Sequence, residues 1–182
     1  NLHKAAGIVV EQHQGRLPED VDSLRALPGI GRYTAGAIAS IAFDARQPIL
    51  EANTIRLFSR LLAVREDPTR PAVQRLLWDF ADAVLPRRQT GLFNQALMEL
   101  GALVCTPRSP DCGACPVAAP CRALKNGNPE AYPAARPRKP TVRVRVAVAL
   151  VSRGQSILLE QPPAGGPFRG RWDLPAVEMT LA

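Results

Sequence analysis

The spacing of apolar residues predicts helices along most of the first 121 positions. Apolar side chains recur three or four residues apart, as they do on one buried face of a helix. Three such faces are formed by Val73, Leu76, Leu77, Phe80, Ala81 and Val84, by Phe93, Ala96, Leu97, Leu100 and Val104, and by Ile55, Phe58 and Leu62. The same spacing begins at Leu2 with no turn or capping residue ahead of it, so we expect the chain to start within a helix and to be a fragment of a longer protein.

The pattern changes after position 121. From 122 to 140, prolines alternate with basic residues, which favours an extended linker. Valines then occupy every second position from Val142 to Val148, and a turn at Ser152 to Gln155 leads to Ile157, a pattern typical of a β-hairpin. The predicted organisation is a helical domain at 1–121, a linker at 122–140 and the beginning of a second domain at 141–182.

The positive charge is concentrated in the second part of the chain. The formal net charge is +7 and the isoelectric point is near 9.9. Positions 1–121 carry 13 basic and 12 acidic residues, whereas positions 122–182 carry 10 and 4. This excess suits a polyanionic partner such as DNA, although a solvated basic tether is also compatible with it. With no signal peptide and no apolar run of membrane-spanning length, we expect a reducing compartment and no membrane.

All four cysteines lie in one stretch of 17 residues, as Cys105, Cys112, Cys115 and Cys121. Prolines and glycines between them would turn the chain so that the thiolates converge on a metal. Two disulfides are an alternative, which a reducing compartment disfavours. Zinc is usually held by two close cysteine pairs, and only Cys112 and Cys115 form one. Intervals of six, two and five residues therefore favour a [4Fe-4S] cluster bound by all four cysteines.

The segment from Leu24 to Ile38 predicts two helices joined by a turn that contains Gly29 and Gly31. Pro28 ends the first helix, and the glycines allow torsions and close approaches that a Cβ would block. The free amides at the start of the second helix would form an anion site that suits a DNA phosphate. The alternative is an ordinary turn between two helices.

These segments resemble the endonuclease III superfamily of DNA glycosylases. Leu27 to Ile38 is similar to its helix-hairpin-helix, and the cysteine spacing is similar to its cluster loop. Pro48 to Arg56 resembles its catalytic segment, and Phe93 to Ala102 resembles the helix before the cluster; the similarity extends from residue 1 to about 121. Tyr33 and the appended second domain point to the adenine DNA glycosylase branch, the MutY type. Its C-terminal domain is Nudix-like, and Phe168 to Pro175 is similar to an early segment of that domain.

The resemblance implies a mainly α fold, namely a helix-hairpin-helix glycosylase domain with an iron–sulfur cluster loop at 105–121, followed by the start of a Nudix-like α+β domain. It implies DNA contacts from Leu27, Gly29, Ile30, Gly31, Arg32 and Thr34. Arg56 and the basic linker are further candidates for phosphate contacts, with solvated side chains as the alternative. The expected partner is double-stranded DNA with A:8-oxoguanine or A:G mispairs, bound by a monomer in the cytoplasm of a bacterium and associated through DNA with the nucleoid.

The catalytic residues implied by the resemblance are Glu51, Tyr33 and Asn53. Removal of a flipped base leaves positive charge on the sugar, which a carboxylate beneath the ring would stabilise. The family has an Asp where this chain has Glu51, and a cap at a helix start is the alternative role for that residue. Asn53 and Tyr33 would orient the carboxylate by hydrogen bonds. The family's second catalytic Glu is expected upstream of Asn1, so we expect the fragment alone to be inactive.

Tyr33 also bears on the reaction class. Bifunctional relatives have a Lys there that forms a Schiff base and nicks the strand, so Tyr33 predicts a monofunctional glycosylase. An endonuclease III-type pyrimidine glycosylase and lyase is a second hypothesis. A DNA-binding module without chemistry is a third, and the replacement of the family's Asp by Glu51 favours it.

Overall fold

The computed structural model describes residues 1–134, 144–161 and 170–179. The chain divides into two units, at 1–136 and 137–182, which are described separately. Part of the predicted first strand, from Val142, and the start of the Nudix-like segment at Phe168 lie outside the described residues.

The first unit is helical, as the apolar pattern predicts. Its helices are α1 (Leu2–Gln12), α2 (Val21–Ala26), α3 (Arg32–Phe43), α4 (Ala52–Leu62), α5 (Pro71–Ala83), α6 (Thr90–Glu99), a π-helix (Leu100–Val104), α7 (Arg122–Lys125) and a short 3-10 helix (Pro129–Ala131). Within the described part of the chain, no helix has both the length and the apolar character needed to cross a bilayer.

The main core forms between α4 and α5. It contains Phe58 and Leu77, both almost fully buried, and the rings of Phe58 and Phe80 meet edge to face with centroids 5.2 Å apart. Such an arrangement is the favourable geometry for two aromatic rings. The predicted face of α5 is confirmed in part, because Leu76 and Val84 at its margins remain substantially exposed.

Helix α6 packs on α3 through small and polar residues, whereas Leu97 and Leu100 of the predicted apolar face pack against the main core. Gly91 lies so close to α3 that a Cβ there would collide with the backbone oxygen of Ser40. The side chain of Asn94 is fully buried and donates to Ser40 Oγ and to the Gln47 carbonyl, both at 2.9 Å. Leu97 of the predicted face is only half-buried. Close approach of two helices requires small residues at the contact, which the apolar periodicity does not reveal.

The helical unit continues past the predicted boundary at 121. Helix α7 packs on α4, and the Ala134 amide donates to the Arg65 carbonyl at 2.9 Å. The Arg65 guanidinium lies 5.5 Å from the centre of the Tyr132 ring. The first part of the predicted 122–140 linker is therefore ordered against the helices, because its backbone and its tyrosine find partners that a composition rich in proline does not disclose.

The described part of the second unit consists of short strands. Strand β1 (Arg145–Val148) pairs antiparallel with β4 (Ala176–Met179), and β2 (Ser152–Arg153) pairs with β3 (Ser156–Ile157). The predicted turn between 152 and 155 is confirmed, with Gly154 at φ +61°. The predicted hairpin forms at this turn between β2 and β3, whereas the valine-rich strand β1 pairs with β4, about 30 residues later.

Candidate functional site

The predicted hairpin forms between α2 and α3. Helix α2 is capped by the Asp20 carboxylate, which accepts from the Ser23 amide at 2.8 Å. The turn closes by a hydrogen bond of 3.1 Å from the Ile30 amide to the Leu27 carbonyl. Gly29 has φ +91°, a conformation that a side chain would strain. The local order of helix, turn and helix therefore confirms the pattern of the sequence.

Helix α3 begins with backbone amides that its cap cannot satisfy. Gly31, the N-cap, has an ordinary φ of −89° and no side chain to accept from them. The first amides of a helix lack partners within it and lie at its positive end. In α3 these belong to Arg32, Tyr33 and Thr34. A Cβ on Gly31 would meet nothing within 4 Å, so the space in front of the helix is open to an anion.

The side chain of Arg32 stacks on α5. Its guanidinium carbon lies 3.8 Å from the centre of the Trp78 ring, a cation–π contact. The stack holds this exposed arginine at the start of α3 and fixes the direction of its charge. Arg32 therefore combines a free amide with an oriented cation at the same helix end.

Helix α3 also supports the segment that leads to Glu51. Gly36 packs on the backbone of Pro48, and a Cβ on Gly36 would lie 2.6 Å from the Pro48 oxygen. On the other side, Asn94 of α6 holds the Gln47 carbonyl. The following residue pair, Ile49 and Leu50, is buried. The extended segment is thus held between two helices, and Glu51 follows at its end.

Glu51 is the N-cap of α4. One carboxylate oxygen accepts from the Asn53 amide at 2.8 Å and the other from the Thr54 amide at 2.9 Å. The Glu51 amide in turn donates to Thr54 Oγ1 at 2.8 Å, which completes a capping box. The residue is half-buried. The capping alternative is therefore realised in the structure, and the same bonds hold the carboxylate in one orientation.

Tyr33 lies near this carboxylate, whereas the Asn53 side chain has another partner. Burial, and then the negative charge of Glu51, raise the pKa of the Tyr33 phenol. Asn53 reaches Glu51 through its backbone amide, while its side-chain oxygen accepts from Arg56 Nη2 at 2.9 Å. The predicted proximity of the three residues is present. The contact of Asn53 with the carboxylate comes from its main chain and not from its side chain.

Arg56 connects α4 to the π-helix and to the first cysteine. Its Nη2 donates to the Gly101 carbonyl at 2.5 Å, and its Nε donates to the Cys105 carbonyl at 2.7 Å. Burial of the guanidinium lowers its pKa from the ordinary value. Gly101 contacts Asn53 so closely that a Cβ on the glycine would lie 2.7 Å from Asn53 Cβ. Arg56 is thus bound to protein carbonyls, which differs from the predicted phosphate contact or solvated side chain.

The four cysteines follow one another through short turns. Cys105 ends the π-helix, with its amide bonded to the Leu100 carbonyl at 2.7 Å. The Cys115 amide donates to the Cys112 carbonyl at 3.4 Å, and the Cys121 amide donates to the Ala118 carbonyl at 3.0 Å. These turns bring all four residues around one cavity. The convergence that the spacing predicts is present.

The cavity suits an iron–sulfur cluster. Besides the sulfurs, its walls are largely apolar, with Leu57, Leu61, Val104, Val117 and Leu124 among them. Among the described residues, no three His, Cys, Asp or Glu side chains are placed to hold a single metal ion. In a [4Fe-4S] cluster each iron takes its own thiolate, so cysteines spread around a cavity fit a cluster better than they fit zinc.

The surroundings of Cys112 disfavour its thiolate form when no cation is bound. Burial, followed by repulsion from Cys105, Cys121 and Cys115, raises the pKa of Cys112. A bound metal reverses this preference because it stabilises the thiolate form of its ligands. Bound iron would therefore stabilise these cysteines as its thiolate ligands.

Arg60 is a site residue that the sequence did not single out. It is only 2% exposed, and its Nη1 donates to Cys105 Sγ at 3.2 Å and to the Thr106 carbonyl at 2.8 Å. The available signal was a cation in the stretch from Phe58 to Leu62, which apart from Ser59 is otherwise apolar. Charged residues are rarely buried without a partner, but the sequence does not name that partner.

Two family models match parts of the chain. Residues 12–41 match the helix-hairpin-helix motif, and residues 105–121 match the iron–sulfur binding domain of endonuclease III. The matched ranges contain the hairpin and the four cysteines described above. The second match and the cysteine cavity together fit a [4Fe-4S] cluster.

Curated relatives are adenine DNA glycosylases. The chain is 35% identical to that of Rattus norvegicus over 98% of this chain and 43% of the relative. It is 39% identical to that of Buchnera aphidicola over 76% of this chain and 40% of the relative. It is 44% identical to that of Mycobacterium tuberculosis over 64% of this chain and 38% of the relative. The chain thus spans less than half the length of these relatives.

Solved structures share the helical architecture. A thermostable thymine-DNA glycosylase aligns with a TM-score of 0.62 and 28% identity, over 69% of this chain and 57% of that one. A non-covalent endonuclease III–DNA complex aligns with a TM-score of 0.58 and 27% identity, over 70% of this chain and 57% of that one. The chain therefore has the mainly helical helix-hairpin-helix glycosylase fold with an iron–sulfur loop, and it is homologous to the adenine DNA glycosylases.

Proposed function

We propose that this chain is the part of a monofunctional adenine DNA glycosylase that contacts the DNA backbone and the sugar of the excised nucleotide. The substrate is duplex DNA in which adenine is mispaired with 8-oxoguanine or guanine. The names of the relatives support the reaction class, and they cover nearly the whole of this chain. Tyr33, where bifunctional relatives have Lys, supports hydrolysis without strand nicking.

The observation that carries the proposal is the fixed position of the Glu51 carboxylate beside the hairpin. Both of its oxygens accept from amides at the start of α4, and Gly36 joins the helix of the hairpin to the segment that ends at Glu51. A phosphate at the start of α3 would thus be anchored on the same rigid body as the carboxylate. Such positioning provides much of the catalysis when geometry must be kept within about an ångström.

In the proposed reaction, the flipped deoxyadenosine places its sugar against Glu51. As the bond to adenine breaks, its electron pair leaves with the base, positive charge develops on the sugar, and the oriented carboxylate stabilises it electrostatically. Water then adds to the sugar and adenine takes up a proton, which leaves an abasic site. Each carboxylate oxygen keeps a lone pair beyond the one used by its amide. Capping and catalysis are therefore compatible roles for Glu51. Tyr33, next to the carboxylate, lines the same site.

The proposed cofactor ligands are Cys105, Cys112, Cys115 and Cys121. When bound, the cluster supplies the link that holds the turns of the loop together. The loop then fixes the end of α4 through Arg56 and Arg60, and the opposite end of the same helix carries Glu51.

Single-turnover release of adenine tests the proposal, with an A:8-oxoguanine duplex and the full gene product that contains this chain. Glu51→Gln should slow release by about 10²- to 10³-fold, because loss of one charge-stabilising group has that magnitude. Duplex binding should be unchanged, and Glu51→Asp should keep the rate or raise it. The exposed Glu99→Gln serves as the charge-matched control. Full release by Glu51→Gln would refute the catalytic assignment.

A DNA-binding module without chemistry is the second candidate, favoured by the use of both Glu51 oxygens in the helix cap. It predicts a negligible rate for the parent protein and for both Glu51 variants, together with intact duplex binding. Tyr33→Lys adds an independent test. Only a pocket that faces the sugar would let this lysine form an adduct with an abasic duplex that borohydride can trap.

A further inference from the structure

The side chain of Arg60 is buried among acceptors of which one is ionisable. Its guanidinium donates to the carbonyls of Cys105, Thr106, Pro107, Pro129 and Tyr132 and to the sulfur of Cys105. Carbonyl oxygens replace the hydration of a cation but bring no negative charge. Among these partners, the countercharge can come only from the Cys105 thiolate.

A buried cation is costly unless a nearby anion compensates it. A cluster held by four thiolates carries net negative charge, and its apolar cavity offers little solvent to screen that charge. Arg60 Nη1 lies 3.2 Å from one of these sulfurs, within hydrogen-bonding range for sulfur. The buried cation and the buried cluster are thus complementary in charge and in position.

Arg60 also joins the start of the cysteine loop, residues 105–121, to the segment that follows this loop. Nη1 and Nη2 hold the chain from Cys105 to Pro107, whereas Nε donates to the Pro129 carbonyl at 3.0 Å and the Tyr132 carbonyl at 3.2 Å. The backbone oxygen of Arg60 itself lies 3.6 Å from Cys121 Sγ. One residue of α4 therefore contacts the first and last cysteines and the segment that follows the last one.

We propose that Arg60 is a positioning residue for the iron–sulfur cluster. Its guanidinium compensates the charge of the cluster through Cys105 Sγ and ties the segment at 129–132 to the cysteine loop. The inference rests on the cluster ligands proposed above, and it assigns to Arg60 both an electrostatic and a mechanical role.

The two roles predict separable effects. A positive charge and a hydrogen bond to sulfur both stabilise the more reduced, more negative cluster, so their loss should shift the reduction potential to more negative values. Loss of the guanidinium fork should also loosen the segment at 129–132. Substitution of a residue next to a metal ligand typically costs about 10- to 100-fold in metal retention.

The test compares Arg60→Gln, Arg60→Lys and the surface control Arg75→Gln in the cluster-loaded chain. Iron and sulfide content, the potential by voltammetry, the rate of iron release to a chelator, and hydrogen exchange of residues 129–134 are measured. Arg60→Gln should lower the potential, release iron about tenfold or more faster, and increase exchange. Arg60→Lys should largely keep the potential, since it keeps the charge, but should still increase exchange. Arg75→Gln should match the parent.

An unchanged potential in Arg60→Gln would overturn the electrostatic role, because a purely structural contact could alter iron release but not this quantity. If Arg60→Gln does not load the cluster, the reduction potential of Arg60→Lys tests the electrostatic role instead. A potential in Arg60→Lys that falls well below that of the parent would contradict compensation by charge. A parent chain without stoichiometric iron and sulfide would overturn the cluster assignment itself, which distinguishes that failure from failure of the role of Arg60.

Discussion

The hairpin at 27–34 and the cysteine loop at 105–121 present polar atoms to a ligand in different ways. The hairpin closes through its own backbone, by the bond from the Ile30 amide to the Leu27 carbonyl, and it offers amides at a helix start. The cysteine loop offers sulfurs, and its first segment is held by Arg56 and Arg60 from a helix more than 40 residues earlier. The first site is a local structure, and the second depends on tertiary contacts.

This difference predicts unequal consequences of damage. The hairpin should keep its shape when the loop is lost, because its turn needs no partner from the loop. The loop should not keep its shape without its cofactor, because the binding of a metal to such ligands is coupled to the folding of the segment that carries them. The following substitutions test this asymmetry in order of expected effect.

Loss of one cluster ligand should have the largest effect. In Cys115→Ser, the cluster should be lost, and residues 105–134 should exchange their amide hydrogens rapidly while α2 and α3 remain protected. Metal binding to such sites is coupled to folding, with free energies on the order of 10 kcal/mol in zinc-binding domains. Iron and sulfide analysis with hydrogen exchange measures both parts. Ala114→Ser, in the same loop, is the control, and equal loss of protection in the hairpin would refute the asymmetry.

Two glycines allow each site to be disturbed separately. Gly36→Ala would press on the Pro48 backbone below the hairpin, whereas Gly101→Ala would press on Asn53 beside the loop. Each should cost about 1–3 kcal/mol in free energy of unfolding, since overpacking has that magnitude. We expect Gly36→Ala to weaken DNA binding first and Gly101→Ala to accelerate iron loss first, measured by fluorescence anisotropy and chelator assays.

The matched control for both is Gly7→Ala. Gly7 lies in α1, and a Cβ there would meet nothing within 4 Å. Its replacement should stabilise the protein slightly, because alanine favours helix over glycine by about 1 kcal/mol. Identical DNA-binding and iron-loss profiles for Gly36→Ala and Gly101→Ala would show that the two sites are not separable.

Gly31→Val should reduce DNA affinity, with a stability cost of under about 1 kcal/mol because valine is a poorer helix N-cap than glycine. Gly31 has an ordinary φ and open space around it, so the free protein can accept a side chain. A phosphate bound to the α3 amides could not approach past valine, and a loss of about tenfold, or about 1.4 kcal/mol, is expected. Binding of a duplex at fixed salt concentration measures it. Unchanged affinity would rule out the proposed phosphate site.

Gly29→Ala tests strain in the hairpin turn separately from the access of a phosphate to the α3 amides. Gly29 has φ +91°, and a Cβ there would also lie 2.8 Å from Asn1 Cβ, so alanine should cost about 1–2 kcal/mol in stability. Thermal unfolding should distinguish the two glycine variants, with Gly29→Ala less stable than Gly31→Val.

The smallest expected effect is spectroscopic. The raised pKa of Tyr33 means that the folded protein favours the neutral phenol, so its contribution to stability is full below the ordinary value of 10.0 and is lost as pH rises through the folded pKa. The chain has two tyrosines. Absorbance at about 295 nm during alkaline titration should show a component that ionises late, and Tyr33→Phe should remove it. Survival of this component in Tyr33→Phe would contradict the assignment.

The sequence predicted the parts of the site whose structure is local. The Pro28 to Gly31 turn and the convergence of the cysteines depend on torsions and short spacings, which residue types report directly. The role of Glu51 as a helix cap was likewise available from its place at the start of α4.

Contacts between distant segments were not available in this way. The apolar pattern marked Phe93 and Leu97 in α6, but Gly91 and Asn94 make the close contact with α3, because packing distance depends on the opposing helix. Residues 122–132, predicted as the first part of a linker, include α7 and Tyr132, which find partners on the helices.

By itself, the sequence determined where the helices lie, which turn can present amides to an anion, and which four residues can bind a cluster. Only the tertiary structure decided that Arg56 and Arg60, which the sequence leaves as two cations four residues apart on one helix, point into the protein and bind the cysteine loop. The physical reason is that a helix fixes the spacing of its own side chains, whereas the acceptors that make burial of a cation favourable come from other parts of the chain.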